Sequence, residues 1–323
     1  MKFAGRGGAG LLLRAGITAA AFAWILRSVD LSFLRQVLRE VRVPWLSAGI
    51  LLLVVSQMGC ILRWALLVPR HSSLTLPFLT NSYFVGHFFN MFLPTTVGGD
   101  AMRGGDLIKA TGEWKQSLAS ILADRLMGFL GFVAFALGAW CLFPPAREDP
   151  LVRTAFAAFC GLVVVIFAVL GSRRVLHALL TPFSKIGLGQ LPVHAKQFQE
   201  ALKDYVTRPR QLLAAFGITL FVQVTTILMF SALCKALRLP VPLAYLMLVV
   251  PIILTISQVP VSLNGWGIRE GATVLFLGRI GVTTEQALSL SLLGALLPLT
   301  TALFGALLFI LRRRRKSAKP ASS

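Results

Sequence analysis

Acidic residues are scarce in this sequence, and charge of either sign is below the usual level. Asp and Glu number 12 against 32 Lys and Arg, and the four charged types make up 14% of the 323 residues. Soluble domains carry about 25% charged residues. Because the chain is also 56% hydrophobic with a mean hydropathy of +0.77, we expect the lipid bilayer to be its main solvent, and we expect no soluble domain.

Cysteine and histidine are also few, and their spacing excludes the common metal and redox motifs. Four cysteines lie far apart inside apolar stretches, without a Cys-x-x-Cys pair or a histidine set beside them: Cys60, Cys141, Cys160 and Cys234. We therefore expect no metal and no cofactor. Among the four histidines, His87 lies in an apolar segment, where it is either a proton carrier or a hydrogen-bonded interior residue.

The excess of basic residues gives a formal net charge of +20, but its placement argues against nucleic acid. The basic residues stand beside apolar runs, as in Arg312–Lys316 directly after the last run, and no nucleic-acid-binding motif accompanies them. The preference for positive charge on the cytoplasmic side of a membrane accounts for this pattern. We expect no nucleic-acid partner.

Long apolar runs dominate the rest of the sequence. A helix needs about 20 residues to cross the hydrocarbon core. Six runs are interpreted as full spans: Leu11–Leu26, Pro44–Val68, Leu118–Phe143, Leu151–Gly171, Leu212–Leu237 and Ala287–Leu311. Lys2 and Arg6 before the first run resemble a signal peptide, but an uncleaved first span fits a multi-span chain better. The predicted fold is one all-α, polytopic membrane domain over residues 1–323.

Two shorter apolar segments, Pro77–Leu93 and Leu243–Val259, each run into a proline that is followed by glycines and an arginine. Proline and glycine interrupt helices. Irregular backbone inside a membrane is tolerated where it lines a cavity within the protein. Each segment therefore predicts half of a re-entrant, broken-helix hairpin, with Pro94 and Pro260 as the structural breaks.

The two breaks share the pattern Pro-x4-Gly-x3-Arg-x-Gly. It aligns two sets of four residues: Pro94, Gly99, Arg103 and Gly105 with Pro260, Gly265, Arg269 and Gly271. Downstream, Gln116-Ser-Leu-Ala matches Gln286-Ala-Leu-Ser, and each is followed by a long apolar span. Two copies of one unit are predicted, at residues 77–143 and 243–311.

Charge also predicts how the two copies are oriented. If the basic segment 172–209 and the basic tail 312–323 are cytoplasmic, the first hairpin enters from the cytoplasm and the second from outside. The copies are then inverted relative to each other, and both termini are cytoplasmic. One group of arginines falls on the outer side and runs against this scheme: Arg27, Arg35, Arg39 and Arg42.

The basic segment 172–209 contains apolar residues on one helical face. These residues predict an amphipathic helix along the membrane surface: Phe198, Leu202, Tyr205 and Val206. Basic side chains near such a helix attract acidic lipids. The expected partners of this surface are anionic lipid headgroups.

The repeat suggests a site at the two breaks. Inverted repeats with broken helices are the architecture of alternating-access transporters, whose substrate lies near the middle of the membrane. Arg103 and Arg269 follow the breaks, and the planar guanidinium fork suits a phosphate. Neighbouring glycines expose backbone N–H groups that add to such a site. The predicted substrate-binding residues are Arg103, Arg269, Asp100, Glu270, Gly98, Gly99, Asn264, Gly265 and Gly267.

A structural role for the same charges stays open, because an arginine inside a membrane is costly unless it is paired. Ion pairs across the two copies are the alternative: Arg103 with Glu270, or Asp100 with Arg269. Further candidates for an ion pair or a proton carrier are Asp106, Asp124 and Arg125. Polar residues near the breaks are expected to satisfy freed backbone groups: Asn90, Gln258 and Asn264.

The segments Asn90–Arg103, Asp124-Arg125 and Pro260–Glu270 resemble the lysylphosphatidylglycerol synthase transmembrane-region family, also called the flippase-like domain family. The similarity covers about Leu11 to Leu311. It implies a lipid-flippase fold with two re-entrant helices. In the founding members this domain translocates an aminoacylated phosphatidylglycerol, and a soluble aminoacyltransferase domain follows it. Because this sequence ends at Ser323, we do not expect it to synthesise that lipid. Stand-alone relatives are associated with other lipids, including hopanoids and polyprenyl-linked sugars.

The sequence thus predicts a flippase-like transporter, not an enzyme, that moves an anionic or polar-headed (phospho)lipid between leaflets of a bacterial-type inner or plasma membrane. Three alternatives stay open: a small-solute or ion secondary transporter, a membrane-embedded lipid transferase, and a non-transporting partner of a lipid-synthesis complex. A transferase needs a positioned nucleophile or base, usually with a metal or cofactor. The sequence contains no His/Asp cluster and no Asp-rich metal motif. It does not indicate an oligomeric state.

Overall fold

The computed structural model describes residues 41–92, 98–172, 174–175, 191–258 and 267–317 of the chain. The first predicted span, Leu11–Leu26, lies outside the described residues, together with Arg27, Arg35 and Arg39. Several residues of the predicted breaks and site also lie outside them: Pro94, Pro260, Asn264 and Gly265.

The described residues form helices and connecting turns, without a strand. Five helices are long and apolar enough to cross a membrane: α1 (Val43–Leu67), α4 (Trp114–Leu142), α6 (Pro150–Gly171), α8 (Pro209–Ala236) and α11 (Thr284–Ser317). The shortest of them, α6, has 22 residues. At 1.5 Å per residue it measures about 33 Å, which exceeds the hydrocarbon thickness of about 30 Å. The prediction of an all-α, polytopic membrane fold is confirmed, and these helices fall on the second to sixth predicted spans.

The other described helices are short: α2 (Leu76–Phe92), α3 (Gly98–Thr111), the single turn α5 (Pro145–Glu148), α7 (Leu191–Val206), α9 (Leu243–Ile256) and α10 (Ile268–Gly278). Helices α2 and α3 form hairpin 1, and α9 and α10 form hairpin 2. Their lengths are 17, 14, 14 and 11 residues. None reaches the length of about 20 residues that a full crossing needs. Each predicted short segment therefore corresponds to one half-helix, α2 or α9, and a second half-helix, α3 or α10, follows it.

Local sequence explains where several of these helices begin and end. Asp149 caps α6, since its carboxylate accepts hydrogen bonds from the backbone N–H groups of Leu151 and Val152. Glycines with positive φ follow the second helix of each hairpin, at Gly112 (φ 75°) and Gly281 (φ 82°). Glycine adopts this left-handed conformation without a steric penalty, so it ends a helix readily.

One end of the bundle, called here the basic end, is where α11 terminates in the run Arg312–Lys316. Arg312 bonds Asp106 near the end of α3 and Asn81 in the second turn of α2. The Tyr205 hydroxyl of α7 donates to the Leu67 carbonyl at the end of α1 (2.5 Å). The ends of α1 and α3 and the start of α2 therefore lie at the basic end, so hairpin 1 opens there.

The other end of the bundle, called here the opposite end, contains the start of α1 and the end of α8. The Arg42 N–H donates to the Ala236 carbonyl (3.0 Å). Tyr245 near the start of α9 donates its hydroxyl to the Phe276 carbonyl near the end of α10 (2.6 Å), and its ring contacts Phe143 directly after α4. Hairpin 2 therefore opens at the opposite end, and the two hairpins enter the bundle from opposite directions.

Helix packing follows the predicted duplication. Each helix of the first half has a counterpart in the second half: α1 corresponds to α8, α2 to α9, α3 to α10 and α4 to α11. Wherever two of these eight helices contact each other, their two counterparts also contact each other. For example, α2 packs on α11 as α9 packs on α4, and α1 and α8 pack on each other. This equivalence includes α1 and α8, one helix before each predicted unit. The bounds 77–143 and 243–311 stay a prediction.

The exterior of the bundle is apolar where a membrane would surround it. Exposed aliphatic and aromatic side chains follow one another along α1, α6 and α11: Leu51, Val54, Met58, Leu62, Leu162, Val164, Val165, Leu303, Phe304 and Leu307. Soluble monomers rarely expose such continuous apolar surface. The amphipathic helix predicted within 172–209 corresponds to α7, whose Leu202 and Tyr205 pack against Leu67 and Ala215 at the basic end.

Candidate functional site

A cluster of buried charges lies between α1, α3 and α4. Asp124 of α4 accepts from two arginines: Arg63 Nε of α1 is 2.7 Å from Oδ1, and Arg103 Nη2 of α3 is 3.1 Å from Oδ2. The exposed fractions of Arg63, Arg103 and Asp124 are 6%, 6% and 4%. These charges are far too buried to rely on water, so the ion pairs stabilise them.

The second carboxylate of the cluster joins the two hairpins. Asp100, in the first turn of α3, forms an ion pair with Arg125 of α4 and lies 3.7 Å from Arg103 Nη1. Arg125 Nη1 also donates to Gln258 Oε1, directly after α9, at 3.1 Å. Arg125 is the twelfth residue of α4. It lies about 17 Å along that helix, close to half of the hydrocarbon thickness of about 30 Å.

The cluster has more positive than negative charge. Three guanidinium groups (Arg63, Arg103 and Arg125) face two carboxylates (Asp100 and Asp124) in the described residues. The segments that join the half-helices, 93–97 and 259–266, contain no acidic residue. The cluster therefore has one positive charge in excess of its carboxylates, in surroundings of low dielectric where an uncompensated charge is costly.

Arg103 has a buried hydrogen-bond donor that lacks an acceptor from the described residues. Its guanidinium carbon lies 4.0 Å from the centroid of the Trp64 ring and 5.3 Å from that of Tyr83, which favours the cation. Its Nε and the Trp64 Nε1 are buried donors without a hydrogen-bond partner among the described residues. A buried donor without an acceptor costs about 1–3 kcal/mol. An anionic oxygen beside Arg103 would remove that cost.

Two of the predicted backbone donors are already engaged within the protein. The Gly99 N–H donates to Asn90 Oδ1 (2.7 Å), so Asn90 satisfies the start of α3 as predicted, and Gly98 begins that helix. The Gly267 N–H donates to Glu270 Oε2 (2.5 Å) and holds the start of α10. Neither N–H group is available to a headgroup in this state. Both N–H groups cap half-helices in this structure, and the contact of these glycines with a substrate stays a prediction.

Arg269 lies in different surroundings from Arg103. It forms an ion pair with Glu270 (2.8 Å), and Glu270 also accepts from the Ser291 hydroxyl of α11 (3.3 Å). Beside this pair is a narrow apolar crevice between α8, α9, α10 and α11, lined by Phe230, Leu246, Ile253 and Leu290 among others. One carboxylate balances one guanidinium here, unlike in the cluster around Asp124.

The ion pairs therefore differ from the pairs across the two copies that the sequence left open as an alternative. Arg103 pairs with Asp124 and Asp100, and Arg269 pairs with Glu270, its neighbour in sequence. Within the described part of the chain, neither Arg103 with Glu270 nor Asp100 with Arg269 forms an ion pair. The hairpins do meet, but the contact runs through Arg125 and Gln258.

Asp106 belongs to a separate ion pair at the basic end. Its carboxylate accepts from Arg312 Nη1 (2.7 Å) and from the Ser82 hydroxyl of α2 (2.8 Å). These contacts join the end of α11 to both helices of hairpin 1. Asp106, Asp124 and Arg125, the further candidates from the sequence, thus all take part in ion pairs.

A polar cavity of about 990 Å³, called here the vestibule, opens at the basic end between α1, α4, α7 and α8. Its wall includes Leu66, one turn of α1 beyond the Arg63–Asp124 ion pair. Three exposed arginines in the wall make no ion pair or side-chain hydrogen bond with another described residue: Arg70, Arg208 and Arg210. Glu113 and Asp204 also line it. Burial raises the pKa of Tyr205 in this wall, so its hydroxyl stays protonated and donates to Leu67.

Comparison with known proteins connects this geometry to a family. The family model described as Lysylphosphatidylglycerol synthase TM region matches residues 11–305, which include both hairpins and the whole charge cluster. The chain belongs to this family. No curated protein and no solved structure matches the chain. The family membership that the sequence predicted for this chain is therefore confirmed.

In this member of the lysylphosphatidylglycerol synthase TM region family, the site contains residues that the sequence analysis missed. Arg63, Trp64 and Tyr83 surround Arg103, although none was singled out. Arg63 had a detectable signal, because a charged residue inside an apolar span must find a partner. Trp64 and Tyr83 had none, since aromatic residues are ordinary components of apolar helices. The described residues contain no group of three or more metal-ligating side chains.

Proposed function

We propose that this protein is a lipid flippase, which moves a lipid with an anionic, phosphate-bearing headgroup between leaflets without changing it chemically. The supporting observation is the excess positive charge of the Arg63, Arg103, Arg125, Asp100 and Asp124 cluster. One negatively charged headgroup would balance that excess, and its oxygens would supply the acceptor that Arg103 Nε lacks.

The fold supplies a route for alternating access. Hairpin 1 opens at the basic end, hairpin 2 opens at the opposite end, and the flanking residues Asp100 and Gln258 both contact Arg125 near half depth. Transporters with inverted broken helices expose such a central site first to one side and then to the other. In this proposal Arg103 is the main contact of the headgroup, and Arg269 meets it at hairpin 2.

The vestibule is proposed as the entrance for headgroups. Its arginines Arg70, Arg208 and Arg210 attract anionic lipid headgroups, and the Arg63 ion pair lies about one helical turn deeper. We place the basic end in the cytoplasm, because positively charged segments favour that side of a bacterial inner or plasma membrane. The two termini are then cytoplasmic as well.

Arg103→Gln gives a sharp test, because it removes the excess charge and leaves Arg63 with Asp124 and Arg125 with Asp100. The purified protein is reconstituted in vesicles with labelled phosphatidylglycerol, phosphatidic acid or a polyprenyl phosphate, and leaflet exchange is followed by chemical quenching of the label. We expect the wild type to exchange at least one of these lipids. Arg103→Gln should lower that rate at least about tenfold, since loss of one charge-assisted hydrogen bond costs about 1.5–3 kcal/mol.

Arg279→Gln is the matched control. Arg279 forms an exposed ion pair with Asp149 at the opposite end (3.7 Å), away from the cluster, so its loss should leave exchange unchanged. A neutral glycolipid with the same acyl chains should exchange slowly in every sample. Wild-type exchange of the neutral lipid as fast as of the anionic lipids, or full activity of a folded Arg103→Gln protein, would show that the cluster does not bind the headgroup.

A further inference from the structure

His87 is a titratable side chain at half depth that the headgroup site does not use. It is the twelfth residue of α2, about 17 Å from the start of that helix at the basic end. We propose that His87 is a proton-binding site and that the protein carries one proton together with each anionic headgroup. This inference rests on the proposed function, and it adds a second transported species to it.

A hydrogen-bond network from three helices holds the His87 ring. Nε2 lies 3.1 Å from the Pro298 carbonyl and 3.2 Å from Thr301 Oγ1, both on α11, and 3.3 Å from Gln57 Nε2 on α1. Gln57 donates to Thr301 Oγ1 (2.8 Å), which in turn donates to the Pro298 carbonyl (2.9 Å). The ring is therefore fixed between the helix that begins hairpin 1 and two full spans.

The network determines which nitrogen can accept a proton. A carbonyl only accepts hydrogen bonds, so Nε2 carries the hydrogen and donates it to Pro298; the Gln57 amide nitrogen is also a donor and makes no hydrogen bond with Nε2 in this tautomer. Nδ1 makes no hydrogen bond with any described residue, which leaves its lone pair available. A proton from water on one side of the membrane binds Nδ1, and the same N–H bond breaks when the proton leaves to the other side. The bonds of Nε2 persist throughout.

His87 is linked to the charge cluster through a single aromatic ring. The Tyr83 ring lies parallel to His87, with 6.5 Å between centroids and 10° between planes. Arg103 is 5.3 Å from the centroid of the same Tyr83 ring. The stem of Arg103 also packs against Gly86, next to His87 in sequence. Charge on the imidazole therefore develops within reach of the excess positive charge, in a medium that screens it weakly.

Three helices pack against α2, and their charged or titratable groups define the electrostatic environment of His87. In the described residues these groups are Cys60 and Arg63 on α1, Asp100, Arg103, Asp106 and Lys109 on α3, and Glu285 and Arg312 on α11. None of them forms an ion pair with His87. The two carboxylates nearest Arg103, Asp100 and Asp124, are already paired with arginines.

These charges couple the binding of the headgroup to the binding of the proton. A proton on His87 repels the excess positive charge of the cluster, and an anionic headgroup removes that excess. Headgroup and proton therefore bind more tightly together than separately, and by linkage each raises the affinity for the other to the same extent. A proton and a headgroup with a single negative charge, such as phosphatidylglycerol, together carry no net charge, so their movement across the membrane does no work against the membrane potential.

The test uses the same reconstituted vesicles with a pH-sensitive dye inside and the membrane potential set by potassium and valinomycin. In the wild type we expect lumenal pH to change in step with lipid exchange, at a rate that does not depend on potential. The rate of proton movement should fall about tenfold per pH unit above the pKa of the histidine, because the protonated fraction does, while lipid exchange without a proton persists. His87→Gln should keep lipid exchange, move no protons and become sensitive to the potential.

Two further variants guard against misfolding and nonspecific effects. His87→Asn should behave as His87→Gln does, and both should elute as monodisperse protein with melting temperatures near that of the wild type. His71→Gln is the matched control. His71 precedes α2 and is exposed, and its Nδ1 lies 2.7 Å from the hydroxyl oxygen of its neighbour Ser73. Proton movement that persists in His87→Gln, or wild-type lipid exchange without any proton movement, overturns the proton site alone. Absence of exchange of all three lipids overturns both proposals.

Discussion

At the scale of single residues, the clearest feature is one carboxylate shared by two arginines inside the membrane. Asp124 bonds Arg63 and Arg103, and all three side chains are almost fully buried. Moving such charges out of water costs several kcal/mol each, and the ion pairs offset that cost only while every partner is present. Replacing a buried ion pair by well-packed apolar side chains is often neutral or stabilising, and the headgroup site proposed above supplies a reason for the charges to be there.

Asp124→Asn should therefore destabilise the protein strongly. The change leaves Arg63 and Arg103 without a carboxylate between them, and loss of one partner of a buried ion pair costs about 3–5 kcal/mol. We expect a large fall in melting temperature in detergent, measured by intrinsic tryptophan fluorescence. The double variant Arg63→Gln with Asp124→Asn should recover part of the loss. A single variant as stable as the wild type would contradict the buried ion pairs.

At the scale of helices, hairpin 1 depends on two glycines that let α2 and α3 touch. A Cβ atom added to Gly99 would lie 1.9 Å from the Gly86 carbonyl oxygen, and one added to Gly86 would lie 2.9 Å from the Gly99 carbonyl oxygen. Close packing of this kind needs small residues. This packing fixes the angle between α2 and α3. It thereby fixes the position of Asp100, which follows Gly99 directly, and of Arg103, which lies one turn further along α3.

Gly99→Ala should separate the two half-helices, because backbone atoms of Gly86 cannot move away cheaply. We expect a loss of about 1–3 kcal/mol or more in stability, the usual range for overpacking, and slower lipid exchange. Gly105→Ala is the matched control on the same helix: nothing lies within 4 Å of its added Cβ, and alanine favours helix by about 1 kcal/mol. The melting temperatures of both variants test this prediction. Equal destabilisation by Gly99→Ala and Gly105→Ala would contradict the close packing of α2 and α3.

The same scale shows what the sequence could and could not predict. Proline and glycine next to short apolar runs predicted that two helices end early, as α2 does at Phe92 and α9 at Ile256, because their backbone preferences are local. Long apolar runs predicted the spans, because the hydropathy of a run is also a local property of the sequence. Partners of the arginines could not be predicted, since Arg63 and Asp124 are 61 residues apart in sequence and meet only after the helices pack. Arg103 was found as a candidate, whereas its aromatic neighbours were not.

At the scale of the whole molecule, the two hairpins open at opposite ends, and that arrangement fixes which loops share a side. The turn before α2, the turn before α8 and the end of α11 lie together at the basic end. The turns before α9 and α11 lie at the opposite end. Inverted broken helices of this kind are common in transporters that work by alternating access, which agrees with the function proposed above.

Single cysteines should report this division directly. Cys60, Cys141, Cys160 and Cys234 are replaced by alanine, and one cysteine is introduced at Ser73, Thr207 or Thr283. We expect Ser73→Cys and Thr207→Cys to react with an impermeant maleimide from the cytoplasmic side only, and Thr283→Cys from the outer side only, in intact cells and inverted vesicles. Labelling of Ser73→Cys and Thr283→Cys from the same side would rule out the opposed hairpins.

The link from Asp100 through Arg125 to Gln258 has no equivalent in the second half of the chain. Aligning the start of α4 with that of α11 places Gly294 and Ala295 where the first half has Asp124 and Arg125. The duplication is thus symmetric in shape but not in electrostatics. For the proposed flippase, this asymmetry predicts unequal energies of the two access states, so that the unloaded molecule would face one leaflet most of the time.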